Sequence, residues 1–270
     1  MAKKIMIGKC RLCDSENIEL RMSHIVPKMF YEYVKRNSIT GGIREVNNPN
    51  KRVQDGLKVP FLCAKCEELF SKYETYFANK IFLKTIEKPN EFSFASDDDY
   101  IRYFLLSIAW RVLKYTVETD KNMLNNFSAA ENDKLLEVLY IWRKILFNEE
   151  INELKKLQMH LIPTKSLKIF ENINGIVSNN VGIDFRTFDN QDAFEYAFTY
   201  VKVPYFIFLC TVWGSTSSMK QFKVGNTIKP RISNLPNFIE KVIIRHLQDF
   251  NVSKQEISSK QIESIIERSK

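Results

Sequence analysis

The run CRLCDSENIELRMSHIVPKMF (residues 10–30) and its complement FLCAKCEELF (61–70) decide how this chain is read. Each holds a Cys-x-x-Cys knuckle, Cys10-Arg-Leu-Cys13 and Cys63-Ala-Lys-Cys66, and together they contain four of the five cysteines. The N-terminus, MAKKIMIGKC, is basic, but its apolar stretch is too short for a signal-peptide core, so the chain reads as soluble and cytoplasmic with reduced thiols. In that setting paired knuckles are read first as a metal site, with a redox dithiol as the alternative. Four thiolates close a tetrahedral zinc site. Forty-nine residues separate Cys13 from Cys63, far beyond the ~15–20 of the compact pattern, so a long excursion is looped out between the knuckles. Cys210, in the apolar run YFIFLC, reads as a small buried hydrophobe.

Working outward, NIELRMSHI (17–25) alternates like a strand leading into Ser23-His24. After Pro27, KMFYEYVKR (28–36) reads as a short helix. Residues 37–57 carry paired glycines, a proline and Asn47, Asn48 and Asn50, and read as a long loop. Leu69, Phe70, Tyr73, Phe77 and Ile81 recur at helical spacing over 65–84, so an amphipathic helix carries Cys66 near its N-terminus. The stretch 88–99 marks a boundary, with Ser96 or one of Asp97, Asp98 and Asp99 capping the helix that follows. Residues 100–118 read as a buried helix and 129–157 as a long helix or a broken pair. The pattern turns β-rich over 159–214, and helices return near 236–249 and 255–268. The fold class is therefore α+β: a zinc-stapled unit over residues 1–90, then a mixed helical and β-sheet unit over 91–270.

At 270 residues, 44% hydrophobic and 27% charged, the composition is that of a globular chain of about two domains. The longest apolar run, VPYFIFLCTVW (203–213), is well short of the ~20 residues a bilayer span needs, so no membrane partner is expected. The net charge of +8 is unevenly placed: residues 1–90 carry 17 Lys/Arg against 10 Asp/Glu, and residues 91–270 carry 23 against 22. A positive field confined to the first third favours a polyanion such as nucleic acid.

Taken in order, Cys-x-x-Cys, then Ser23-His24-Ile25-Val26-Pro27, then Leu62-Cys63-Ala-Lys-Cys66 entering a helix resembles the HNH endonuclease family with an added four-cysteine zinc site. The resemblance spans residues 8–84. It implies a ββα-metal, treble-clef-like core that hydrolyses phosphodiester bonds of DNA, or of RNA, with a catalytic Mg²⁺ or Mn²⁺ beside the structural Zn²⁺. His24 matches the family's general base. The position after the last knuckle, usually His or Asn, is Glu67, and a carboxylate suits either hard cation. Glu74, seven residues on, shares that helix face and is a second candidate ligand. The family's middle Asn has no unambiguous counterpart. Asp55, in the turn V-Q-D-G, is the first choice for the carboxylate that positions His24 or the metal. Lys28, Arg36, Arg44, Lys51 and Arg52 are candidate phosphate contacts. Ser23 stands where the family usually has an Asp ligand.

Residues 91–270 carry no Gly-rich phosphate loop, no spaced acid pair and no nucleophile elbow. The resemblance implies a restriction-type or phage-defence effector, in which this unit senses, targets, or assembles with a second copy or a defence-system partner protein. The alternative reading is a non-catalytic treble-clef zinc module that binds nucleic acid; in a third, zinc serves only to fold the first unit.

Overall fold

Strand β1 (Met6–Gly8) pairs with β2 (Ile18–His24), and β2 pairs with β5 (Lys58–Cys63), giving an antiparallel three-stranded sheet. A bulge between Arg21 and Met22 breaks the alternation of β2. Leu20 points inward before it and Ser23 after it, which leaves His24 at the strand end half-buried. The computed structural model describes residues 5–38, 41–89, 93–95, 97–120, 122–168, 180–189, 194–215, 217–228 and 235–269. Ser96 and parts of the β-rich stretch, 169–179 and 190–193, lie outside these.

Pro27 sets the entry to α1 (Lys28–Arg36), which buries Phe30, Tyr31, Tyr33 and Val34. The long loop expected over 37–57 contains a hairpin, β3 (Ile43–Glu45) and β4 (Asn48–Val53), turning at Val46-Asn47. Its strands are short and rich in Asn, Pro and Arg, so the alternation that marks a strand is absent from its sequence. After β5 the chain enters α2 (Ala64–Phe77), passes through a π-helical turn at 78–82 and continues as α3 (Leu83–Glu87). The turn re-phases the helix so that both Phe77 and Phe82 reach Phe30, at ring distances of 6.3 and 4.9 Å.

Helix α4 (Asp99–Thr119) is capped by Asp98, whose carboxylate accepts from the N–H groups of Tyr100 and Ile101 at 2.8 and 3.4 Å. Its residues 101–113 are all buried, because α4 packs on α2 on one side and on a second sheet on the other. The expected helix over 129–157 is a broken pair, α5 (Ala129–Asn148) and α6 (Ile151–Lys156), interrupted by left-handed Glu149 at φ 52°. The second sheet is antiparallel, in the order β7 (Met159–Pro163), β10 (Phe206–Trp213), β9 (Phe194–Val203), β8 (Gly182–Asp189). A two-residue bridge joins β6 (Phe94–Ala95) to β11 (Thr227–Ile228). The chain ends in α7 (Asn237–Gln255) and α8 (Ser259–Ser269).

One hydrophobic core runs from Cys10 to Val224 across residue 90. At its centre Phe77 stacks on Phe104 at 4.0 Å, and Phe208 meets Phe30, Phe77 and Phe104 edge-on or tilted within 6.0 Å. Truncating any such ring costs about 3–5 kcal/mol, so the cysteine-knuckle segment and the second sheet share a large part of their stability. A second core on the far face of the sheet sets Ile162, Ile207 and Leu209 against Ile239, Val242, Ile243 and Leu247 of α7. Among the described residues no helix is long and apolar enough to cross a membrane.

Candidate functional site

The four knuckle cysteines converge. Their Sγ atoms all lie within 4.8 Å of one another, and Cys13 and Cys63 are 3.8 Å apart. Thiolates ~2.3 Å from a tetrahedral zinc sit ~3.8 Å from each other, so the cluster can hold a metal ion such as zinc. The first knuckle is a turn closed by the Asp14 N–H on the Cys10 carbonyl (3.0 Å), with Asp14 left-handed at φ 60°. The second joins the end of β5 to the first turn of α2, and the Cys63 N–H donates to Cys10 Sγ at 3.3 Å. A hydrogen bond from the Cys66 thiol and bonds from backbone amides hold the Cys10 thiol at about 4 against the opposing effect of burial. Cys66 is pushed far up by Cys10, then by burial. Gathered thiols that cannot all ionise in water-poor surroundings suit a cation that neutralises them. Cys210 is buried in the second sheet, away from the group.

His24 closes β2 opposite Lys58 of β5. Its Nε2 donates to Asp55 Oδ1 at 2.7 Å, and Asp55 also accepts from the Gly56 N–H (2.9 Å) and from Lys58 Nζ (2.6 Å). Gly56 is required by packing: a Cβ there would lie 2.2 Å from the Tyr31 ring, which closes over the 55–57 turn. With Nε2 bound to the carboxylate, the neutral imidazole carries its proton on Nε2 and presents Nδ1 as the acceptor. The side chain is 17% exposed and Nδ1 has no partner among the described residues, so that nitrogen is open to solvent.

Burial pushes the Asp55 carboxyl up, but the Lys58 and His24 hydrogen bonds outweigh it and hold the group well below the usual carboxylate range. A depressed folded-state pKa stabilises the fold above the unfolded value near ~4 and loses that contribution as pH falls through the folded value. Asp55→Asn is therefore expected to melt below wild type at pH 7, with the gap closing progressively as pH drops below about 4. Thermal melts of both proteins across pH 2–7 check this; a gap unchanged at the acid end counts against the ion-paired dyad.

Glu74 turns away from the cysteines and pairs with Arg111 of α4 at 2.8 Å. Arg111 Nη1 donates to the backbone carbonyl of His24, also at 2.8 Å. Glu67, one turn before Phe70 on the same stripe of α2, has a buried Oε1 with no hydrogen-bond partner. Ser23 is buried, and its hydroxyl accepts from the Leu62 N–H at 3.2 Å across the β2–β5 bulge. Among the described residues the four cysteines are the one group of three or more ligand-type side chains that converge. His24, Asp55, Glu67 and Glu74 do not form a second.

The basic candidates divide. Arg36 and Lys51 are exposed, and Lys28 pairs with Glu32 one turn along α1 at 3.0 Å. Arg44 and Arg52 face each other across the β3–β4 hairpin. Arg44 donates to the Pro49 carbonyl (2.7 Å) and to Gln261 of α8 (2.9 Å), while Arg52 Nε is buried and unpartnered. Asn50 also binds the α7–α8 elbow, at the Glu256 carbonyl and the Ser258 N–H.

Sequence reasoning alone does not find Lys58 or Arg111. Lys58 has a local signal, since it lies three residues from Asp55. Arg111 has one too, as a second arginine in the apolar helix YIRYFLLSIAWRVLKY, but nothing in the sequence names its partners 37 and 87 residues away. No protein-family model, curated protein or solved structure matches the chain.

Proposed function

We propose that the protein is a metal-dependent HNH-type endonuclease that hydrolyses phosphodiester bonds, with DNA as the first substrate to test. The observation that carries the reading is the His24–Asp55 pair, which leaves Nδ1 as an oriented, open base. A water bonded to Nδ1 gives that nitrogen its proton as its oxygen attacks phosphorus. The bond to the departing sugar oxygen breaks, and that oxygen is protonated from solvent. Asp55 keeps the imidazole in the acceptor tautomer and stabilises the cation that forms. A bound Mg²⁺ or Mn²⁺ would neutralise charge developing on the phosphoryl and leaving oxygens. Of the candidate ligands, Glu67 fits best, since its buried oxygen lacks a partner, whereas Glu74 is engaged by Arg111. A single protein carboxylate suits an ion that keeps waters and shares the substrate's phosphate. Zinc at the four cysteines has a separate, structural role.

Exposed Lys51, together with Arg52, whose Nε has no partner, supports a polyanion at the β3–β4 hairpin, where Arg44 opposite Arg52 adds to the positive field. Affinity for duplex DNA is expected to fall steeply with salt, and replacing Lys51 or Arg52 with alanine should each reduce the log–log salt slope by about 1. Fluorescence anisotropy across a potassium chloride series measures this; slopes unchanged from wild type in both variants remove the hairpin from the interface. Residues 91–270 would then serve targeting, sensing or assembly with a second copy or a partner protein.

A second reading is favoured by Ser23, whose hydroxyl is committed to a backbone N–H where the family usually places a metal-ligating Asp. In that reading the same zinc and basic hairpin make a non-catalytic nucleic-acid module. Incubating plasmid DNA and a structured RNA with the purified protein in Mg²⁺ or Mn²⁺ separates the two. Nicking or linearisation that EDTA abolishes supports the nuclease, and zinc-loaded protein that binds without cutting supports the module.

A further inference from the structure

We infer that Arg111, on the central helix α4, is a positioning residue of the His24 centre. Its guanidinium is committed in three directions at once. Nη1 binds the His24 carbonyl at 2.8 Å, Nη2 binds Glu74 Oε1 at 2.8 Å, and Nε binds the Ser107 carbonyl one turn back on α4 at 3.2 Å. The cation also packs over the Phe70 ring, 5.2 Å from its centroid. The side chain is 3% exposed. A buried guanidinium carries a large desolvation cost that persists only where its donors are answered, and here three backbone or carboxylate acceptors answer them.

What this arrangement fixes is the backbone that carries the imidazole. The Ile25 N–H donates to the Leu57 carbonyl at 3.1 Å, while Arg111 holds the carbonyl of His24 itself. The ring end is held by Asp55 at Nε2. The imidazole is thus anchored at both ends by groups from different parts of the fold: the 55–58 turn on one side and α4 on the other. Glu74 takes its place here as the counter-ion of Arg111, which explains why a carboxylate two turns from Cys66 faces α4 and not the cysteine cluster. The histidine centre is consequently incomplete within residues 8–84, since one of its anchors comes from beyond residue 90.

The catalytic consequence rests on the nuclease reading; the conformational one does not, and the test separates them. With ¹⁵N-histidine labelling, wild type is expected to give His24 ring signals of one ordered tautomer with the proton on Nε2. Arg111→Met should convert them to averaged or doubled signals, while zinc content stays at the wild-type level. In cleavage assays Arg111→Met should lower kcat by about 10²-fold with KM within about twofold, because a base displaced by ~1 Å loses that much. Arg111→Lys should recover only part of the loss, as a single ammonium cannot serve three fixed acceptors. Arg111→Met also strands the Glu74 charge, so Arg111→Met/Glu74→Gln is the deciding variant. It should regain thermal stability yet keep the low kcat and the averaged His24 signals. If that double variant restores both kcat and the ordered signals, or if Arg111→Met leaves the His24 signals unchanged, the positioning role is overturned. A wild type that never cuts DNA or RNA ends the nuclease reading and leaves the ¹⁵N comparison to decide the role of Arg111.

Discussion

Cys63→Ser is expected to lose the bound zinc and, with it, the folded state of the N-terminal third. Cys63 ends β5, occupies the N-cap position of α2 and donates its N–H to Cys10 Sγ, so one substitution removes a candidate ligand at the junction of strand, helix and knuckle. Structural zinc contributes on the order of 10–16 kcal/mol of folding free energy at pH 7, which matches or exceeds the ~5–15 kcal/mol net stability of a whole domain. The damage should spread. Arg143 of α5 binds the Leu12 carbonyl at 3.0 Å and pairs with Asp14, and Arg11 meets Glu118 of α4 at 3.4 Å. Cys10, Leu12, Cys63 and Cys66 all belong to the core that α4 completes. Elemental analysis should return about one zinc per chain for wild type and much less for the variant, whose melt should be lowered and broadened. Cys210→Ser, outside the cluster, should keep its zinc. Zinc-free wild type that melts normally would overturn the site.

How far the sequence carries this reading depends on whether a feature is local. Helix α1 is legible at both ends because Pro27 starts it and its apolar residues recur at helical spacing. The buried length of α4 is legible because apolar residues surround it on every side. Two knuckles are legible because paired Cys-x-x-Cys spacings are a local signature of a metal site. The turn alone points to Asp55, and the fold brings it to 2.7 Å from His24. The hairpin at 43–53 is hidden because turn-forming residues outnumber strand formers there. The role of Glu74 is hidden for a different reason. Its spacing from Glu67 suggests a shared metal, but its partner is an arginine from a helix that begins twenty-five residues later. The continuity of the core across residue 90 is also a long-range fact, made by ring contacts such as Phe77 with Phe104 and Phe30 with Phe208.

If the protein is the nuclease proposed, His24→Ala is the second large effect expected, and it falls on chemistry, not on folding. A general base typically contributes about 10²–10⁴ in rate, whereas this imidazole sits at a strand end, partly exposed, with its ring 6.2 Å from Tyr31. Cleavage should therefore drop by at least ~10² while zinc content and DNA affinity stay near wild type. Asp55→Asn should lose a comparable amount, up to about 10⁴, since an amide that donates to Nε2 moves the ring proton to Nδ1 and leaves no base there. Glu67→Gln should lose activity through weaker binding of the divalent ion, so raising Mn²⁺ should recover part of it, whereas no Mn²⁺ concentration should rescue His24→Ala. The other histidines give the contrast. His160 and His246 are held at about 4 by burial and, to a lesser degree, by Lys223 and Lys202 respectively. Both are therefore neutral at pH 7 within the second half of the chain. Replacing either removes packing, so activity lost there should track the fraction of unfolded protein, and normalising to folded protein should restore it. For His24→Ala the same normalisation should change nothing. Full cleavage by His24→Ala, or a loss that disappears on correcting for folded protein, would remove this histidine from the reaction and leave the zinc-stapled unit as a nucleic-acid-binding module.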